Sequence, residues 1–338
     1  MKTPLNFCFA LLAFGLPLAP VHAQKLSAVV AFGDSLSDLG NTYYYSSSLS
    51  LWLAEYNGYY YDQGRWSDGP VWVEDLVRLL AFNSLQRNDG TNLYGTDFAW
   101  GGSTSADGYT TFTFWPGYYL PNLQTQIKTY IDLLTTADAR MPKISETLFT
   151  VWSGGNDVIY LVQDGSPVTT PEKIRDHLGE AITTLYNQGG RYFLVPNLPP
   201  LGEKPNFRTD PQYRKEANDF VAEYNPLLHA ELTQLPQTLP GIKIIEFDVY
   251  ALFEKVLKFP TDYGLTNVTD AAFTYETFNP PNYGKVVKNP NQYLFWDGTH
   301  PTVVGHGILG GQAYAAVQAA LAAVLGENQM TQGTAIRP

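Results

Sequence analysis

The sequence predicts an α/β protein, a three-layer α/β/α sandwich around a five-stranded parallel sheet. Three observations carry that reading. Short apolar runs rich in β-branched residues alternate with longer stretches of helical periodicity. The runs are followed by glycine, proline or small polar residues, as strands are when they enter turns. No internal repeat or low-complexity linker breaks the alternation, so a single large domain is expected over residues 24–326.

The leader comes first. Met1-Lys2 is basic, residues 7–18 are apolar, and Val21-His22-Ala23 offers small residues for a peptidase. This is the layout of a cleaved secretory signal over residues 1–23, too short for a membrane span. A secreted, periplasmic or extracellular protein is therefore expected. The first strand is 28–32, Ala-Val-Val-Ala-Phe, ending at Gly33. The others are 97–100, 148–152, 192–195 and 242–247. Helices are expected over 71–82, around Leu123, Ile127, Tyr130, Ile131 and Leu134 (one face at helical spacing), and over 171–188, 211–235, 249–257 and 301–325. Thr170-Pro171 and Asp210-Pro211 are helix-start pairs. Five strands with interleaved helices suggest a flavodoxin-like order. Residues 327–338 are polar and are expected to form a flexible tail.

Three stretches escape the pattern: 43–66, 103–121 and 261–293, all rich in aromatic residues. Each follows a strand or precedes the last motif, so each is placed to overhang the carboxyl edge of the sheet. The expectation is that 43–66 and 103–121, with Trp115, wall a substrate cleft. Packing of long loops against the body is the alternative.

Composition narrows the chemistry. The only cysteine, Cys8, lies in the leader. The mature chain then has no disulfide, thiol nucleophile or zinc–thiolate site. A net charge of −11 with 16% charged residues argues against nucleic acid and against docking on anionic lipid. No second long apolar run is present, so no integral membrane segment is expected after leader removal. A monomer is taken as the default.

Ser35, in Gly33-Asp34-Ser35-Leu36, stands at the carboxyl end of the first strand, where open parallel sheets bind ligands. Acyl transfer by a serine needs a base, an orienter for the base, and oxyanion donors. Past the leader there are four histidines. His177 and His229 fall in charged helical stretches and read as surface residues. His306 lies inside the last helix. His300 stands in a loop, with Asp297 three residues before it. That spacing lets a carboxylate reach one imidazole nitrogen while the other faces Ser35. Gly102 offers an unobstructed backbone N–H, and Asn156 a side-chain amide. With the Ser35 N–H, they make three oxyanion donors. Asp34, Asp38, Asn41 and Asp157 read as structural groups in tight turns.

These blocks resemble those of the SGNH/GDSL hydrolases: Ser35 in Gly33-Asp34-Ser35-Leu36, Gly102, Asn156 in Gly155-Asn156-Asp157, and His300 in Asp297-Gly298-Thr299-His300-Pro301. The segments Gly64-Arg65-Trp66-Ser67-Asp68-Gly69-Pro70-Val71-Trp72 and Asn197-Leu198-Pro199-Pro200-Leu201-Gly202 are similar to those of its secreted lipase/acylhydrolase branch. The resemblance implies the SGNH hydrolase fold and a serine esterase or lipase without a cofactor or metal. It implies Ser35 as nucleophile, His300 as base, Asp297 as its orienter, and Ser35, Gly102 and Asn156 as oxyanion hole. The expected partner is an ester, either an acyl lipid or an acylated carbohydrate.

Other readings stay open. Carbohydrate deacetylation and acyl transfer to an alcohol use the same site. A non-catalytic binding module would keep the fold and lose turnover. Asp-x-x-His also serves as a metal-ligand pair, but no second histidine cluster or carboxylate pair accompanies it. Asn267-Val268-Thr269 is a lone glycosylation sequon.

Overall fold

Successive side chains of a strand face opposite ways, and in the first strand this alternation divides the core in two. A computed structural model describes residues 26–48, 60–88, 95–111, 119–136, 140–165, 169–276 and 284–334, with side chains to residue 323. The leader (1–23) therefore lies outside the described residues. The main elements are β1 (Ala28–Gly33), α1 (Asn41–Ser48), α2 (Trp72–Leu79), α3 (Leu123–Leu134), β2 (Thr147–Trp152), α4 (Gly155–Asp164), α5 (Pro171–Asn187), β3 (Tyr192–Pro196), α6 (Pro211–Thr238), β4 (Lys243–Phe247), α7 (Val249–Lys258) and α8 (Val303–Thr334).

The four strands pair in the order β1–β2–β3–β4, all parallel, with Ala28 opposite Thr147 and Gly33 opposite Trp152. Val29 and Ala31 pack with Trp72 and Leu76 of α2, Phe253 of α7 and Leu309 of α8. Val30 and Phe32 pack with Ile127 of α3, Val158 of α4, Ile182 of α5 and Val221 of α6. Those are the two helical layers of the expected sandwich. Each such side chain, fully buried, stabilises the fold by ~1.5–3 kcal/mol.

The sheet differs from expectation at one edge. Residues 97–100, expected as the fifth strand, do lie beside β1. Ala31 N–H donates to Thr96 O at 2.9 Å, Phe98 N–H to Ala31 O at 2.8 Å, and Trp100 N–H to Gly33 O at 3.1 Å. They form an isolated bridge at Asp97 instead of a continuous strand. The next bond of that ladder, from Gly33 N–H, goes instead to the Gln126 side-chain Oε1 at 3.0 Å, and the Asp97 carboxylate accepts from the backbone N–H of Leu39 and Ala99.

Helix boundaries follow local chemistry. Thr170 caps α5 by accepting from Lys173 N–H, and Asp210 caps α6 by accepting from Gln212 and Tyr213 N–H. Two helices were not expected. α1 begins at Asn41 and runs into the tyrosine-rich stretch, and α4 starts directly after the Gly154 turn, whose φ is +114°. α8 runs on through residues 327–334, assigned to a tail from sequence; residues 335–338 lie outside the described ones. Among the described residues no helix is long and apolar enough to cross a membrane.

Candidate active site

The carboxyl ends of β1 and β2 deliver most of the site. Gly33 ends β1 against β2, where an added Cβ would lie 2.3 Å from Trp152 O, so only glycine fits. The buried amide of Gln126, on α3, clamps this turn. Its Oε1 accepts from Gly33 N–H at 3.0 Å, and its Nε2 donates to Gly33 O at 2.8 Å and to Ser103 Oγ at 2.9 Å. Asp34 Oδ1 accepts from Leu36 N–H at 3.0 Å, and Asp34 O accepts from Ser37 and Asp38 N–H. Ser35 stands in the middle of that turn, 8% exposed.

Across from it lies the loop between the strand Tyr293–Phe295 and α8. His300 Nε2 is 2.9 Å from Ser35 Oγ, and His300 Nδ1 is 2.7 Å from Asp297 Oδ2. Asp297 Oδ1 accepts from the backbone N–H of Thr299 and His300, each at 2.7 Å. Tyr61 donates its phenol to Asp297 Oδ2, also at 2.7 Å. Burial pushes the Asp297 carboxyl up, but His300 and these donors outweigh it and hold the group at about 2. Asp297 is thus an acceptor-only carboxylate. The Nδ1 facing it must carry the imidazole proton, which leaves Nε2 free to accept from the Ser35 hydroxyl.

The loop is braced from below. Asn206 N–H donates to Gly298 O at 2.9 Å, and a Cβ on Gly298 would collide with the Asn206 side chain. Lys204, only 3% exposed, donates to Thr299 Oγ1 at 3.2 Å and sits 3.6 Å from the centre of the Phe207 ring. Burial drives the Lys204 amine down to about 8, against the opposing pull of Asp297. The Trp66 ring lies 5.3 Å from the His300 ring, tilted by 31°.

Of the three expected oxyanion donors, Ser35 and Asn156 line one cavity beside His300, and Gly102 is not among its lining residues. Among the described residues, the backbone N–H groups of Ser35 and Gly102 donate to no other group. Gly102 has a φ of +86°, the left-handed region that glycine adopts readily. Its carbonyl is held by Tyr160 OH at 3.0 Å. Asn156, in the first turn of α4, spends one side-chain N–H on Ser103 O at 2.9 Å, which leaves the second.

The acidic residues around the site are structural, as expected. Asp38 accepts from the backbone of Gly40, Asn41 and Gly101. Asn41 Nδ2 donates to Ala99 O at 2.8 Å, and Asp157 accepts from Ser105 N–H and Oγ. Burial pushes the carboxyls of Asp38, Asp97 and Asp157 up, and that of Asp34 to about 6 despite the Leu36 N–H and His300.

Three sequence expectations need correction or sharpening. His177 is half-buried, not on the surface, with Nδ1 2.9 Å from Ser105 Oγ. His229 is exposed beside Glu246, and His306 is fully buried, its Nδ1 accepting from Trp72 N–H. Burial holds His306 at about 3, so it is neutral and takes no part in the site. Among the described residues of 43–66, 103–121 and 261–293, none lines the cavity beside Ser35; residues 49–59, 112–118 and 277–283 of these stretches lie outside the described ones. Tyr61, Phe273 and Trp296 instead form a buried cluster behind Asp297. Tyr109 and Tyr119, both exposed, lie on two paired antiparallel strands with their ring centroids 6.3 Å apart. Trp115 lies outside the described residues. Sequence reasoning did not single out Tyr61 or Lys204. Tyr61 was hidden among many tyrosines, and a lysine in a proline-rich loop reads as solvated.

The family described as GDSL-like Lipase/Acylhydrolase matches residues 29–312. The chain is 27% identical to the phosphatidylcholine-sterol acyltransferase of Aeromonas hydrophila, over 84% of this chain and 88% of that one. It is 26% identical to GDSL esterase/lipase 6 of Arabidopsis thaliana, over 88% of both chains. It is also 26% identical to the thermolabile hemolysin of Vibrio parahaemolyticus, over 85% of this chain and 63% of that one. Among solved structures, an acetylxylan esterase from Geobacillus stearothermophilus aligns with a TM-score of 0.41 at 14% identity, over 86% of this chain and 94% of that one.

Proposed function

We propose, from the premise that this chain belongs to the GDSL-like lipase/acylhydrolase family and is a carboxylic ester hydrolase, that it is a secreted enzyme working through an acyl-enzyme on Ser35. The observation that carries this reading is the unbroken chain of contacts from Ser35 Oγ through His300 to Asp297, at 2.9 and 2.7 Å. Ser35 Oγ attacks the ester carbonyl carbon while His300 Nε2 takes its proton. The carbonyl π electrons move onto oxygen. The N–H groups of Ser35 and Gly102 and the Asn156 amide receive that oxyanion. Each such donor is worth ~2.7–4 kcal/mol in the transition state.

The intermediate then collapses. The bond to the alcohol oxygen breaks, His300 returns its proton to that oxygen, and the alcohol departs. Water, deprotonated by His300, attacks the acyl-enzyme to give a second tetrahedral intermediate; its bond to Ser35 Oγ then breaks, His300 returns the proton to that oxygen, and the acid is released. Asp297 stays ionised throughout, stabilising the imidazolium and fixing its tautomer. Secretion rests on the leader composition at 1–23.

The test is turnover of p-nitrophenyl acetate by the purified enzyme and by Ser35→Ala. The wild type hydrolyses the ester and the folded variant does not. Wild-type rates in Ser35→Ala would overturn the reading.

A further inference from the structure

Beside Ser35 opens a small cavity of about 60 Å³. One side is the site itself: Ser35, Asn156 and His300. The rest is largely hydrocarbon, Leu36, Trp152, Ile159, Phe253, Phe295 and Leu309 among it, with Asp34, Lys204 and Thr299 as the other polar lining. Phe253 and Leu309 come from α7 and α8, and with Phe295 they belong to the buried core on that face of the sheet. The cavity therefore runs from the reacting atoms into the packed interior.

We propose that this cavity takes the acyl chain of the substrate and limits it to short chains, with Phe253 and Leu309 setting the limit. The inference rests on the acyl-enzyme reading above. Three arguments select the acyl group over the alcohol. First, the acyl group stays bonded to Ser35 between the two half-reactions, whereas the alcohol must leave before water attacks. A recess in the core suits the group that stays. Second, a sugar or glycerol alcohol would lose its hydration against the hydrocarbon wall of Leu36, Ile159, Phe253 and Leu309, at a cost an alkyl chain does not meet. Third, an alkyl chain is the chemistry that an apolar wall continuous with the core favours.

Size sets the class. An apolar cavity of ~150 Å³ takes up one benzene molecule. The smaller cavity here therefore holds roughly two or three carbons beyond the carbonyl, an acyl chain of at most about four carbons in all. A longer chain must displace core side chains that are close-packed and yield poorly.

The experiment measures kcat/KM on p-nitrophenyl acetate, butyrate and octanoate for the wild type, Phe253→Ala, Phe253→Leu and Ile159→Trp. Ratios between esters on one preparation do not depend on how much of it is folded. In the wild type, octanoate is expected at least about tenfold below butyrate, the lower bound for misfit in a hydrophobic pocket. Phe253→Ala removes a phenyl group and should raise the octanoate-to-butyrate ratio by about tenfold or more. Phe253→Leu should raise it less, and Ile159→Trp should lower butyrate relative to acetate. A wild type that takes octanoate as readily as butyrate overturns the size limit. Brisk turnover with the same ratios in both Phe253 variants overturns the placement of the chain, and leaves the acyl-enzyme reading standing. A wild type that turns over no ester overturns both.

Discussion

Tyr61 and His300 share one oxygen of Asp297: the phenol and the imidazole Nδ1 each lie 2.7 Å from Oδ2. The other oxygen is filled by the backbone of Thr299 and His300. A carboxylate so fully engaged cannot rotate, and the imidazole it holds cannot turn away from Ser35. Tyr61 is 5% exposed and packs among Trp66, Phe273 and Trp296. An aromatic cluster therefore acts on the site through the carboxylate.

Tyr61→Phe keeps the packing and removes one hydrogen bond to a charged acceptor, worth ~1.5–3 kcal/mol. Asp297 is held at about 2 against an ordinary 3.8. Such a group contributes stability above pH 3.8 that disappears as pH falls towards 2. The variant should lose stability at pH 7 and converge on the wild type near pH 2. Urea midpoints across that range test this. An equal deficit at both ends would mean the loss is one of packing.

Asn156→Ala should lower kcat by ~10²–10³ with KM nearly unchanged, as expected of a donor used mainly in the transition state. The same side chain also holds Ser103 O, so a modest fall in melting temperature should accompany it. Active-site titration separates the two effects. A variant whose titrated sites turn over at the wild-type rate would reduce Asn156 to a brace.

Lys204 is a buried cation with one hydroxyl acceptor and one ring among its described contacts. Its amine sits at about 8 in the fold against 10.5 when free. Below pH 8 the fold bears the full cost of burying the charge, and that cost fades as pH rises to 10.5. Lys204→Met should thus be more stable than the wild type at pH 7, by up to about 3 kcal/mol. The gain should shrink above pH 8. Denaturation of both proteins at pH 7 and 10 measures this, and a gain independent of pH would contradict it.

Much of the molecule was legible in the sequence because its signals are local. The strand 28–32 ends where Gly33 must meet Trp152 O, and the pairs Thr170-Pro171 and Asp210-Pro211 mark helix starts that their side chains do cap. Asp297 and His300 are three residues apart, so one turn brings them together. What was not legible depends on contacts between distant segments. Residues 97–100 have strand composition, yet the distant side chain of Gln126 takes the Gly33 N–H that would continue their ladder. Tyr61 reaches Asp297 across 236 positions of sequence. The described residues of the aromatic stretches contribute none of the lining of the cavity beside Ser35, which includes Phe253, Phe295 and Leu309; these read as ordinary core because they are core.

The central claim is that Ser35 is made nucleophilic by His300. An alkyl p-nitrophenyl phosphonate reports on both residues at once, since it phosphonylates a serine only where a base activates it. Peptide mass spectrometry after stoichiometric treatment should place the adduct on Ser35 alone, with loss of activity in step with labelling. His300→Ala should slow labelling of the same serine by orders of magnitude. Adducts on another serine, or unchanged labelling of Ser35 in His300→Ala, would contradict the account.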